Sequence, residues 1–166
     1  MSEPPLIELR GLSLVYRALP ALRDIDWALH AGQQWACLGP NGAGKTTLAR
    51  VLSSQATHFS GEMTRTSDLR ERGVAYVCFE EAKTLCDRDK KLDDSEFRAD
   101  ARDPGTTVQA TILQGREADD NFHHWVQRLR IAHILQRGIR FISTGEMRKT
   151  LLITAILSKP GLLILD

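Results

Sequence analysis

The residues Gly39-Pro40-Asn41-Gly42-Ala43-Gly44-Lys45-Thr46 match the pattern G-x-x-x-x-G-K-[ST]. That spacing suits one task, wrapping a chain of phosphates. A loop that turns its backbone N–H groups inward needs positive φ, and it must admit oxygens where a Cβ would clash, which is why glycines recur in it. The start of the helix that follows adds partial positive charge. In such a loop Lys45 reaches the β- and γ-phosphates, Thr46 ligates Mg²⁺, and Thr47 offers a further hydroxyl near the α-phosphate.

One more group of residues bears on the same chemistry. Leu162-Leu163-Ile164-Leu165-Asp166 is an apolar run ending in a carboxylate. Alone it is an ordinary strand end. Beside a phosphate loop it reads as the acidic strand end whose carboxylate accepts from waters of a Mg²⁺ shell at the carboxyl edge of a parallel sheet. Ser143-Thr144-Gly145-Glu146 has the form of a capping box that opens a helix.

The elements that must position these groups follow from hydrophobic period. Ile7 to Tyr16 and Leu22 to Leu29 alternate loosely, with Ala31-Gly32 as a turn, and predict two or three antiparallel strands. Trp35 to Leu38 predicts a short strand feeding the glycine loop, and Lys45 to Ser53 a helix leaving it. Val74 to Phe79 predicts a second core strand. From 80 to 103, 15 of 24 positions are charged with both signs mixed, a composition that predicts a solvated, mobile insertion with a polar helix. Thr106-Thr107 caps a helix over Val108 to Gln114. Amphipathic helices are expected over Asn121 to Arg130 and Ile131 to Gln136. Ser143 opens another, with Met147, Leu151, Leu152, Ala155 and Ile156 at helical spacing, and Lys159-Pro160-Gly161 closes it. Leu162 to Leu165, apolar without alternation, predicts a strand covered on both faces. The fold class is α/β.

Composition sets outer bounds. The chain has 166 residues, 42% of them apolar, enough to bury a core. Lys and Arg number 22 against 21 for Asp and Glu, so no long-range field favours direct contact with nucleic acid. No apolar run approaches the roughly 18 residues that span a bilayer. The N-terminus lacks a basic and apolar leader, and three scattered cysteines fit a reducing compartment, so a cytoplasmic setting is expected, peripheral at the inner face of the membrane if membrane partners exist. Cys37 and Cys78 read as buried inert thiols, and Trp27, Trp35 and Trp125 as packing residues. His123 and His124 point about 100° apart on a helix and do not suggest a metal site.

Phe141-Ile142-Ser143-Thr144-Gly145-Glu146-Met147-Arg148 resembles the signature motif of ATP-binding cassette (ABC) ATPases, usually Leu-Ser-Gly-Gly-Gln, with Thr144 for the first glycine and Glu146 for the glutamine. Ser143 to Leu152 is most similar to the ModF/PhrA subgroup, associated with molybdenum transport or photorepair. The resemblance covers essentially the whole chain. It implies a P-loop fold with an N-terminal antiparallel part, a parallel core sheet and a helical subdomain. The expected organisation is one incomplete nucleotide-binding domain: 1–79 as β part, P-loop and core strand, 80–103 as charged insertion, 104–142 as helical subdomain, and 143–166 as signature helix and acidic strand. It further implies ATP and Mg²⁺ as ligands and Tyr16 as the aromatic that stacks on adenine. Ser143 and the N–H of Gly145 would meet the γ-phosphate held by a partner cassette, in tandem or as a dimer, with membrane transporter subunits as further partners.

The sequence departs from the family at three places. Phe79-Glu80-Glu81 stands where a glutamine senses Mg²⁺ and water, and both carboxylates read more simply as the start of the charge run. Thr144 and Glu146 alter the signature. The chain ends at Asp166, before the family's catalytic glutamate, aspartate loop and switch histidine, so the resemblance implies a truncated cassette without turnover of its own. The expected activity of a complete cassette is ATP hydrolysis driving transport, with molybdate as one related cargo, or another process such as regulation or repair. A nucleotide-dependent dimerisation module without turnover is the alternative.

Overall fold

The computed structural model describes residues 4–56, 58–91 and 105–166, and they fall into two compact units. One takes the chain up to Tyr76 together with Pro160–Ile164 and Asp166; the other is Val77–Lys159 together with Leu165.

In the first unit, β1 (Ile7–Tyr16) is the centre of a three-stranded antiparallel sheet, flanked by β2 (Leu19–Leu29) and β3 (Ser60–Arg65). Alternation works as expected in β1, where Ile7, Leu9, Leu12 and Leu14 are buried. Register shifts along β1 interrupt the ladder to both neighbours. At Gly61, φ is +89° and an added Cβ would lie 2.4 Å from the Gly11 carbonyl oxygen, so only glycine lets β3 approach there. Helix α1 (Lys45–Leu52) buries Ala49, Val51 and Leu52. Val51, Leu52 and Leu69 of α2 (Ser67–Arg72) complete the core with the sheet residues.

A two-stranded sheet joins β4 (Val74–Val77) to β5 (Leu162–Leu165). The Gly161 N–H donates to the Gly73 carbonyl at 2.9 Å, which sets the starts of the two strands side by side. β5 is only half-buried and Leu165 is exposed, so the expectation of cover on both faces fails. Trp35 to Leu38 forms no strand either. Trp35 is 61% and Leu38 89% exposed, and Cys37, expected inside, is exposed. The reason is pairing: among the described residues neither 35–38 nor the second edge of β5 has a strand partner, and an unpaired apolar segment keeps its amides in water. Trp35 instead sets its ring edge-on to Trp27, centroids 5.4 Å apart, and its indole N–H donates to Gln33.

The second unit is helical: α3 (Phe79–Lys91), α4 (Val108–Leu113), α5 (Asp120–Arg128) and α6 (Thr144–Leu157). Thr107 caps α4 and Asp119 caps α5 through side-chain oxygens, as the turn chemistry requires. Ile131 to Gln136 is not a helix. It reduces to one 3₁₀ turn, Ala132–Ile134, because Ile131 and Ile134 are both fully buried and the three-residue spacing suits that tighter winding. α6 turns Met147, Leu151, Ile153 and Ala155 into the core, while Leu152 and Ile156 are only partly covered.

α3 corrects the reading of the charge run. Its first half buries Ala82 and packs Leu85 and Cys86 against the core, and further along Asp89 is buried. Arg140 makes that burial possible, its Nε lying 2.8 Å from Asp89 Oδ2, while the Thr106 N–H donates to Oδ1 at 2.7 Å. Mixed charge hid a buried ion pair. The remainder of the run, 92–104, lies outside the described residues.

Candidate nucleotide and metal site

The glycine loop enters α1 through Gly44, whose φ of +90° places it in the left-handed region as N-cap. An added Cβ would stand 2.5 Å from the Ala21 carbonyl oxygen, so both conformation and space demand glycine. Gly42 also has positive φ, +84°. The turn is closed by the Ala43 N–H donating to Pro40 O at 3.2 Å. Lys45 Nζ donates to the carbonyls of Gly39 and Pro40, each at 2.9 Å, and so clasps the loop from within. No acidic residue occupies the first turn of α1, leaving its N-terminus suited to an anion, with Thr47 on that turn. Asn41 and Gly39 are exposed at the rim.

Asp166, at the end of β5, meets the loop's helix. Thr46 Oγ1 donates to Asp166 Oδ1 at 3.2 Å. A hydroxyl and a carboxylate oxygen brought together across 120 residues are hard oxygen donors, the set that Mg²⁺ selects, so the residues fit that ion. The second oxygen, Oδ2, accepts from the Tyr76 phenol at 2.7 Å. Tyr76 was not among the residues singled out from sequence, because an aromatic inside a strand reads as core packing. Tyr16 ends β1 with 47% of its surface exposed, so it is not a core aromatic.

The signature segment lies in the second unit. Ser143 is the N-cap of α6, and the capping box is complete: Ser143 Oγ accepts from the Glu146 N–H at 3.3 Å, and Glu146 Oε2 accepts from the Ser143 N–H at 2.7 Å. The Ser143 hydroxyl also donates to Oε2 at 2.8 Å. Glu146 Oε1 lies 3.5 Å from His133 Nε2. The bonds from the Ser143 backbone and then its hydroxyl hold the Glu146 carboxyl below its ordinary value. Thr144 begins α6, and space beside Gly145 is open, with nothing within 4 Å of an added Cβ. Glu80 and Glu81 lie in the first turn of α3, where negative charge suits the helix dipole, and partial desolvation raises the Glu81 carboxyl.

The family model described as ABC transporter matches residues 22–166. The chain belongs to this ABC transporter ATPase family. It is 32% identical over its whole length to the zinc import ATP-binding protein ZnuC of Hydrogenovibrio crunogenus, of which it spans 61%. It is 34% identical, over 83% of its residues, to the ABC transporter ATP-binding protein ModF of Escherichia coli K12, of which it spans 28%. A crystal structure of a nucleotide-free ATP-binding cassette from an ABC transporter superposes with TM-score 0.68 at 16% identity, covering 98% of this chain and 68% of that one. The ADP conformation of another such cassette gives 0.64 at 14%, covering 97% and 68%. The cassette fold is therefore the fold of this ABC chain. Relatives named for zinc import and ModF match alike, so the resemblance to the ModF/PhrA subgroup is not supported as a specific assignment. Among the described residues no helix is long and apolar enough to cross a membrane.

Proposed function

We propose that the chain is the ATP-binding part of an ABC protein that binds Mg·ATP and, paired with a second cassette, hydrolyses it by attack of water on the γ-phosphorus. The observation that carries this is the convergence of the Gly39–Thr46 loop, its clasping Lys45 and the Thr46–Asp166 contact within one unit. Lys45 leaves the loop carbonyls to neutralise charge on the β- and γ-phosphates, and loop N–H groups from Gly39 to Thr47 hold the phosphate oxygens. Thr46 and Asp166 hold Mg²⁺, which when bound neutralises charge developing on the phosphate oxygens. Tyr16 supplies an exposed ring for the adenine. Ser143, Thr144, Gly145 and Glu146 face the nucleotide of a partner cassette, and the helical middle, 104–142, is the subdomain that meets membrane subunits on the cytoplasmic side. The process driven is transport, with a metal species as cargo. Molybdate is the reading favoured by the Ser143–Leu152 segment, and zinc the one favoured by the ZnuC relatives.

Lys45→Ala tests the reading. Calorimetric titration with ATP and Mg²⁺ should show binding lost in the variant, and an unchanged affinity would sink the phosphate-loop assignment. A second reading, a nucleotide-dependent dimerisation module without turnover, is favoured by Glu80-Glu81 and by the Ser143 hydroxyl being bonded to Glu146. Retained ATP binding by the full-length protein with no phosphate release would select it.

A further inference from the structure

We propose that Tyr76 is the positioning residue for the Mg²⁺-holding carboxylate of Asp166, a role that rests on the Mg·ATP reading. Asp166 is exposed at the end of a half-buried strand, and a carboxylate there is free to turn about two side-chain torsions. Two donors from two other elements remove that freedom. Thr46, from α1, takes Oδ1, and the phenol of Tyr76, from β4, takes Oδ2 at 2.7 Å. The shorter bond comes from the better anchored group. Tyr76 is 8% exposed, the one buried residue of β4, so the place of its hydroxyl is set by the strand. β4 is in turn fixed to β5 where Gly161 bonds Gly73.

The chemistry of the donor matters. A lysine or arginine in this place would neutralise the carboxylate and repel a divalent cation. A phenol orients the carboxylate through a charge-assisted hydrogen bond and leaves its charge for the metal. This is the outer-shell partner that metal-ligating carboxylates generally have. A purely structural role would be for Asp166 to satisfy the hydroxyl of a packed tyrosine, and the two differ in what the metal feels.

ATP binding is titrated calorimetrically in the chain, in Tyr76→Phe and in Asp166→Asn, each with excess Mg²⁺ and with EDTA. Tyr76→Phe should keep its EDTA affinity and lose about tenfold of the gain in affinity that Mg²⁺ confers, the size typical of an outer-shell partner. Asp166→Asn should lose the gain altogether. A full gain in Tyr76→Phe with none in Asp166→Asn overturns the positioning role and leaves the Mg·ATP reading standing. A full gain in both removes Asp166 from the metal site and overturns the positioning role, with Mg·ATP binding held by other residues; no Mg²⁺-dependent gain in the parent chain overturns the Mg·ATP reading itself. Equal loss with and without Mg²⁺ in Tyr76→Phe assigns the tyrosine to packing and overturns the proposal. Should Tyr76→Phe not fold, the native chain, with its 2 tyrosines ¹³C-labelled at Cζ, gives the answer. The Tyr76 resonance must move in Asp166→Asn, and a stationary signal overturns the contact on which the role depends.

Discussion

At Gly44 the glycine loop tolerates no side chain, for two separate reasons. The left-handed φ strains any L-residue, and the Ala21 carbonyl oxygen occupies the place of a Cβ at 2.5 Å. Gly44→Ala should therefore lower stability by about 2 kcal/mol or more in urea unfolding, where replacement at a relaxed glycine is neutral or mildly stabilising. Gly145 is the contrast, with open space and no positive φ. Gly145→Ala should leave the unfolding free energy from urea titration within about 0.5 kcal/mol of the parent, so any loss of ATP-dependent pairing it causes would report the approach of a phosphate rather than a folding defect.

Capping and charge pairing decide the helical elements. Ser143→Ala removes an N-cap worth about 1 kcal/mol to α6, and by the proposed role it also weakens ATP-dependent dimerisation, read by light scattering, while leaving ATP binding by the single chain intact. The pH dependence of this cap has a definite sign. Glu146 is held below its ordinary carboxylate value in the fold, so its contribution is fully present above about 4.3, the unfolded value, and is lost as pH falls through the lower folded value. Glu146→Gln should flatten that acid limb in a series of thermal melts. For α3 the decisive pair is Asp89 with Arg140, both nearly enclosed. Arg140→Met strands a buried carboxylate and should cost about 3–5 kcal/mol, measured by denaturant titration.

Over the whole molecule, what was legible in the sequence followed the strength of local signals. The glycine loop, the Thr107 cap and the Ser143 box are written in adjacent residues, and they stand where expected. Tyr76 and the Asp89–Arg140 pair were invisible because each depends on a partner 51 or more residues away. Trp35 to Leu38 misled for a related reason: apolar composition states that a segment can enter a sheet, and pairing decides whether it does. Identity carried the family and not the cargo, since a relative named for zinc import and ModF match this chain at similar identity.

The order of the chain through its two units bears on how the corner proposed to hold the metal is reached. The path leaves the first unit after Tyr76 and re-enters at Pro160, and the Gly161–Gly73 bond that aligns β4 with β5 closes that excursion. Closing a loop of this length costs several kcal/mol of chain entropy if the intervening residues are unstructured, and less once they have condensed around their own core. The contacts of the antiparallel sheet and α1 lie within residues 7–65 and need no such closure. Asp166 reaches Thr46 and Tyr76 only when that excursion closes, so the expected outcome is that these contacts form later than the sheet, read by hydrogen exchange during refolding.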